Sequence, residues 1–282
     1  MHWWTGSPAG AWPQQHAEIA PQRLTCRPGL RHSDKAIGAG GKPLGRHAPT
    51  ALNQAWSKNL FWDGRAPTLE AQARGPIEAA MEMDLPMATA VSWLQEVKGY
   101  VAAFAKAFPK DGLTETTVLQ AIATFERTIV TGDTPFDRWV RGDARALSAE
   151  ARRGFVVFTG KGSCAACHTG WNFSDDKFHD IGLPGTDMGR MDISKNSADR
   201  QAFRTPSLRE TAARAPYMHD GSVRTLEAVL AHYASGGEAR PSRSPLMKPV
   251  ALSSQDVQDL VAFMRSLSSP NARLAMPNLP AH

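Results

Sequence analysis

The sequence predicts an all-α fold with long loops. Apolar residues recur at helical spacing in several segments, alternating strand patterns are nearly absent, and the helical segments are separated by stretches rich in Gly, Pro and polar residues. Loops of that length inside a folded domain need a further source of order, such as a large bound cofactor. A chain of 282 residues is long for one domain and comfortable for two. With 42% apolar and 21% charged residues the composition is globular rather than disordered. No apolar run approaches the roughly 18 residues that a membrane span requires, so the chain is not expected to span a membrane. The net charge of +5 is mild and its basic residues are scattered, which argues against nucleic acid as a partner. Such a surface suits an acidic protein partner instead.

Taken in order, residues 1–35 read as an irregular leader in which Trp3, Trp4 and Trp12 follow no period. They lack the apolar core of a secretory signal, so either the export signal is missing or the natural start lies upstream. Residues 36–50 form an extended Gly- and Pro-rich loop. Thr68 to Arg74 predicts a short helix stopped by Gly75-Pro76. Val97, Val101, Phe104 and Phe108 mark one face of a helix ending at Pro109. Thr114 caps the next helix, whose stripe is Val118, Leu119, Ile122, Phe125 and Ile129, and Thr131 to Pro135 ends it. The polar stretch Asp143 to Ser148 divides a unit at 36–143 from one at 144–282. Ala151 to Phe158 is helical, Gly182 to Arg204 a long polar loop, and Leu226 to Tyr233 a helix stopped by Gly236-Gly237. Ser253 caps a last helix that turns Val257, Leu260, Val261, Met264 and Leu267 inward.

Two of the three cysteines stand in Cys164-Ala165-Ala166-Cys167-His168, which is the C-x-x-C-H attachment signature of a c-type haem. Two thiols three positions apart lie on one side of a turn and can each form a thioether with a porphyrin vinyl group. The adjacent imidazole then supplies the proximal ligand. A redox dithiol would want a βαβ setting, which is absent. A zinc site would want further ligands at zinc spacing; His179 could serve, but a fourth donor would be distant.

Beyond that motif the chain resembles the bacterial dihaem cytochrome c peroxidase family, including its MauG-type members, from about Ile37 to Leu267. The stretches that carry the resemblance include Phe61-Trp62-Asp63-Gly64-Arg65-Ala66, Gln72-Ala73-Arg74-Gly75-Pro76-Ile77, Met81-Glu82-Met83, Phe203-Arg204-Thr205-Pro206-Ser207-Leu208-Arg209 and Ala215-Pro216-Tyr217-Met218-His219-Asp220-Gly221. The resemblance implies two cytochrome c-like domains, a peroxide site in the first and an electron-accepting haem in the second. It implies reduction of hydrogen peroxide with electrons from a small donor protein (a c-type cytochrome or a cupredoxin), or a MauG-type oxidation of a protein side chain. A periplasmic location follows from the family and the cofactor.

Carried over residue by residue, Cys164, Cys167 and His168 resemble the anchors and proximal ligand of the electron-transfer haem. Tyr233 falls at the distal ligand position, where the peroxidases have methionine and MauG-type proteins tyrosine; His232 or Met218 would be the ligand if Tyr233 only packs. A phenolate there stabilises ferric iron. Trp62 resembles the tryptophan between the two haems, and Gln72 and Glu82 the polar pair on the peroxide side, with Glu82 suited to proton transfer. Arg204 suits a haem propionate. The calcium positions of the family fall at His47, Arg214 and Pro216, where histidine departs from the oxygen donors that calcium prefers. The family's first C-x-x-C-H is absent: Cys26 stands alone, followed by Arg27, and His32 lies further on. One covalent haem c is therefore expected and a second is in doubt, with a monohaem electron-transfer protein as the alternative function.

Overall fold

The computed structural model describes residues 35–269 and Pro280. The leader calls, including Cys26, Arg27 and His32, lie outside the described residues. Two compact units emerge. One takes the described residues up to Trp56 together with Ala66–Ile129, and the other takes Ser57–Arg65 and the described residues from Val130 to Ser269. The chain is mainly helical, with a single two-stranded sheet among the described residues.

In the first unit α1 (Leu69–Glu78) starts at Thr68, whose hydroxyl accepts the Ala71 amide, and α4 (Glu115–Arg127) starts at Thr114 with a reciprocal bond to Thr117. Between them lie α2 (Met87–Glu96) and α3 (Lys98–Ala107). The core is Ala73, Met87, Leu113, Val118 and Leu119. Three sequence expectations need correction here. First, α1 runs through Gly75-Pro76 to Glu78; Pro76 is buried, and the turn beyond returns its amides to the helix end, Met83 N to Pro76 O at 3.0 Å and Leu85 N to Ile77 O at 2.9 Å. Burial and these bonds offset the lost proline N–H. Second, α2 was not foreseen, since only Met87 and Ala90 of its residues are buried. Third, α3 turns Tyr100 and Phe104 toward the core while Val101 is exposed.

The second unit is built on α6 (Ala149–Thr159) and α9 (Ser254–Ser266), joined by α5 (Pro135–Val140) and α8 (Leu226–Ser235). After the stretch Thr131 to Pro135 that follows α4, α5 is a further helix that the sequence pattern does not announce, capped by Thr134 and Asp137. The long loop contains one short helix, α7 (Met191–Ser194), and its end pairs as β2 (Phe203–Arg204) with β1 (Phe178–His179), antiparallel. Helices α6 and α9 cross at Gly154. A Cβ there would lie 1.9 Å from the carbonyl oxygen of Asp259, so no other residue fits without separating the helices. Arg153 clamps the same point, holding both oxygens of Asp259 at 2.8 and 2.9 Å. Replacing Gly154 by alanine is expected to destabilise the unit by about 1–3 kcal/mol through overpacking, measured as a lower thermal midpoint. An unchanged midpoint would show that the crossing can yield.

The core of this unit is aromatic. Phe136, Phe155, Phe158, Phe173 and Phe263 pack with ring centroids between 5.0 and 6.0 Å, mostly edge-on or tilted. Leu147, Leu260 and Leu267 close it.

Candidate haem-binding site

The motif sits just beyond α6. Gly162 returns its amide to Val157 O, Ser163 turns left-handed at φ 52°, and Cys164–Ala166 form one 3-10 turn. The His168 amide bonds Cys164 O at 2.9 Å, which closes the turn with both thiols on it. Burial pushes each thiol up to about 11; for Cys167 the negative charge of Asp175 adds to the effect. Both therefore stay protonated at neutral pH, unlike the activated thiols of redox dithiols.

His168 is held by one nitrogen. Its Nδ1 lies 2.9 Å from Phe173 O and donates there, so Nε2 is the nitrogen free to ligate a metal. Burial lowers the pKa of this imidazole, which favours the neutral, ligating form.

The loop that offers the Phe173 carbonyl is laced to the segment 203–209. Ser207 Oγ donates to Asn172 Oδ1 at 2.8 Å and Ser174 Oγ to Thr205 O at 2.7 Å. Arg209 binds Trp171 O through Nε at 2.7 Å and both oxygens of Asp137 at 2.9 Å. Asp137, in α5, is held below its ordinary value against its own burial by Arg209 and Thr134. Arg209 and Asp137 were missed as site residues from the sequence. The one available signal was the Thr134-to-Asp137 capping spacing.

Tyr233 is brought to the same place from the last turn of α8. Burial drives its phenol far above its ordinary value, and negative charge on Cys167 or Cys164, were either ionised, would add to that rise. His232, its neighbour, places Nε2 3.0 Å from Ile181 O. Met218 lies in a left-handed turn with φ 70°, and the Ala215–Pro216 peptide bond is cis.

Arg204 is buried, with Nη1 2.9 Å from Asp176 and 3.2 Å from Ser57 Oγ. Trp62 belongs to the same unit as His168 and is half-buried; its carbonyl accepts the Arg204 amide at 2.8 Å. The turn that carries it is clamped by Arg190, whose Nη1 reaches Asp63 O at 2.9 Å and Gly64 O at 3.0 Å. Gln72 and Glu82 lie in the other unit, Gln72 on α1 and Glu82 in the turn after it, both half-buried. The Glu82 carbonyl accepts the Ala39 amide at 2.8 Å. His47 belongs to the first unit, and Arg214 and Pro216 to the second.

Cys167, Asp175 and His179 offer ligand atoms all within 4.8 Å of one another. His179 is committed to Asp175 through Nε2 at 2.9 Å. A thioether at Cys167 would remove the one thiol of this set. The donor set at the motif, two thiols on one turn, an imidazole with Nε2 available and a nearby phenol, fits a haem c.

Comparison with known proteins agrees with that chemistry. Residues 25–145 match the family described as di-haem cytochrome c peroxidase, and residues 151–268 match cytochrome c. The methylamine utilization protein MauG of Methylorubrum extorquens is 50% identical over 264 residues, covering 91% of this chain and 75% of that protein. The cytochrome c551 peroxidase of Pseudomonas aeruginosa is 36% identical over 257 residues, covering 87% and 71%. Among solved structures, a MauG-like protein associated with microbial copper homeostasis superposes with TM-score 0.80 at 30% identity, over 86% of this chain and 80% of the other. The diheme peroxidase BthA from Burkholderia thailandensis shares the fold, with TM-score 0.75 at 23% identity over 94% and 83%. The helical two-unit architecture, the cysteine motif and these relatives together place the chain in the di-haem cytochrome c peroxidase and MauG family.

Proposed function

We propose that this chain is a haem c-dependent oxidoreductase of the MauG branch, taking hydrogen peroxide as oxidant and exchanging electrons with a small donor protein in the periplasm. The observations that support this reading are Tyr233 in the last turn of α8, where the resemblance puts the distal ligand of MauG-type proteins, and the 50% identity to a MauG protein. A haem c held there would supply one-electron redox chemistry.

The residues have separate tasks. Cys164 and Cys167 tether the porphyrin. His168 presents Nε2 because Phe173 O fixes Nδ1. Tyr233 would bind as phenolate, and such a ligand favours the ferric state over the ferrous. Its burial works in the same direction once ionised, because a low dielectric strengthens attraction to a cation. Glu82, from the first unit, is assigned the proton transfer between the two oxygens of peroxide as their bond breaks, with Gln72 orienting the substrate. Trp62 is assigned to relay electrons, and Arg204 to pair with a propionate in addition to Asp176.

Cys26-Arg27 supports a second reading, in which only His168 carries covalent haem and the chain transfers electrons without consuming peroxide. Arginine stays protonated and offers iron no lone pair. Haem stoichiometry by pyridine haemochrome, together with peroxide turnover, separates the two. Two haems with turnover support the enzyme; one haem without turnover supports the carrier. If the enzyme reading holds, Glu82→Gln is expected to slow peroxide consumption by about 10²–10⁴-fold, the usual contribution of a positioned acid–base group. A Glu82→Gln variant that keeps the parent rate removes this residue from the proton transfer.

A further inference from the structure

The first turns of α8 are fixed by apolar burial, through Leu226 and Leu230. Its last turn, which carries Tyr233, is fixed in another way. The segment leaving it, Gly236 to Ser244, folds back onto the residues that follow β1. Glu238 N bonds Gly182 O at 2.9 Å, and Ser244 N bonds Asp180 O at 2.9 Å. The two backbones touch: a Cβ on Gly237 would lie 2.4 Å from Ile181 O, and one on Gly182 2.7 Å from Glu238 N. Both glycines have positive φ, +66° and +67°, so both the space and the conformation require them.

At the centre is the Asp180 carboxylate, whose side chain is 0% exposed. It accepts Arg240 Nη2 at 2.5 Å and Nε at 2.7 Å, Ser242 Oγ at 2.8 Å and the Gly182 amide at 2.8 Å. Arg240 is also spent on Leu183 O at 3.1 Å. The residue before Asp180, His179 at the end of β1, leads to the motif. His179 bonds Asp175, and the Asp175 amide bonds Cys167 O at 2.9 Å. Polar contacts joined by the short backbone of residues 179–182 therefore link Cys167 to the segment that leaves α8, and His232 Nε2, in the last turn itself, lies 3.0 Å from Ile181 O.

We infer that Asp180, with Arg240, is a positioning residue that holds the last turn of α8, and with it the Tyr233 phenol, in register with the Cys164–His168 motif. This rests on the reading of Tyr233 as an iron ligand. A buried carboxylate with four donors is costly to disturb, since loss of its charge leaves the guanidinium only the exposed Glu238 carboxylate, 3.5 Å away. The same bonds hold the pKa of Asp180 below its ordinary value, so the latch persists through the neutral range.

The test uses the full-length, haem-loaded protein, with the ferric optical and electron paramagnetic resonance spectra and amide hydrogen exchange as readouts. Tyr233→Phe defines the spectrum without the phenolate. Asp180→Asn is expected to move the parent spectrum toward that of Tyr233→Phe. It is also expected to speed exchange in the last turn of α8 by about tenfold while the turn at Leu226–Leu230 stays protected. A Tyr233→Phe spectrum distinct from the parent, with Asp180→Asn identical to the parent, overturns the latch and leaves the ligand standing. A Tyr233→Phe spectrum identical to the parent overturns both. If Asp180→Asn does not load haem, Ser242→Ala removes a single bond from the same carboxylate; a smaller shift in the same direction supports the latch, and no shift overturns it.

Discussion

Replacing Cys164 and Cys167 together by serine yields a protein from which the haem bound at this motif is extracted by acidified organic solvent, whereas the parent retains it. The reason is local. The two thiols lie on one 3-10 turn closed by the bond from the His168 amide to Cys164 O. Serine preserves the turn, because that bond uses backbone atoms alone. His168 also keeps its bond to Phe173 O, so an axial nitrogen persists and the fold is retained. Only the covalent tether is lost. The check is the mass of the intact protein before and after extraction, alongside pyridine haemochrome. Haem that survives extraction from the double variant would place the covalent attachment elsewhere in the chain.

The largest effect on stability is expected at Phe263. Its side chain is fully buried and its ring meets those of Phe136, Phe155, Phe158 and Phe173, with centroids 5.5, 5.5, 5.0 and 6.0 Å away. Truncation to alanine removes the transfer free energy of the ring and leaves a cavity that the four surrounding rings cannot easily fill. The expected cost is about 3–5 kcal/mol, a fall in thermal midpoint on the order of 10 °C for a chain of this size. Val156, 68% exposed on the neighbouring helix, is the control, and its change to alanine is expected to leave the midpoint within about 1 °C. A Phe263→Ala midpoint equal to that control would mean that the aromatic layer is not what holds the unit together.

Much of this organisation was readable from residues. The starts of α4 and α9 announced themselves by Thr114 and Ser253, because a capping hydroxyl has a fixed place relative to the amides it accepts. The proposed haem anchors, Cys164, Cys167 and His168, stand in one contiguous motif, so no tertiary knowledge was needed to group them. Helices α2 and α5 were not readable in this way. The first has almost no buried stripe, and the second is only six residues long, shorter than the window in which periodicity can be judged. The extension of α1 through Pro76 depends on returning amides from 83 and 85, which no local pattern announces. The groups that orient His168 were hidden for a different reason. The acceptor is a main-chain carbonyl, and any residue at 173 carries one. Asp137 and Arg209 are 72 positions apart, and pairing at that separation leaves no trace in a single chain.

Phe173 has two ends that matter. Its ring is built into the aromatic layer, and its carbonyl holds the imidazole of His168. The hydrophobic interior and the imidazole proposed as the haem ligand thus share one residue, and rigidity in the first is passed directly to the second. Substitutions deep in that interior, remote from any reacting atom, are therefore expected to announce themselves as a change of colour before they register as loss of structure. A visible spectrum becomes a gauge of packing.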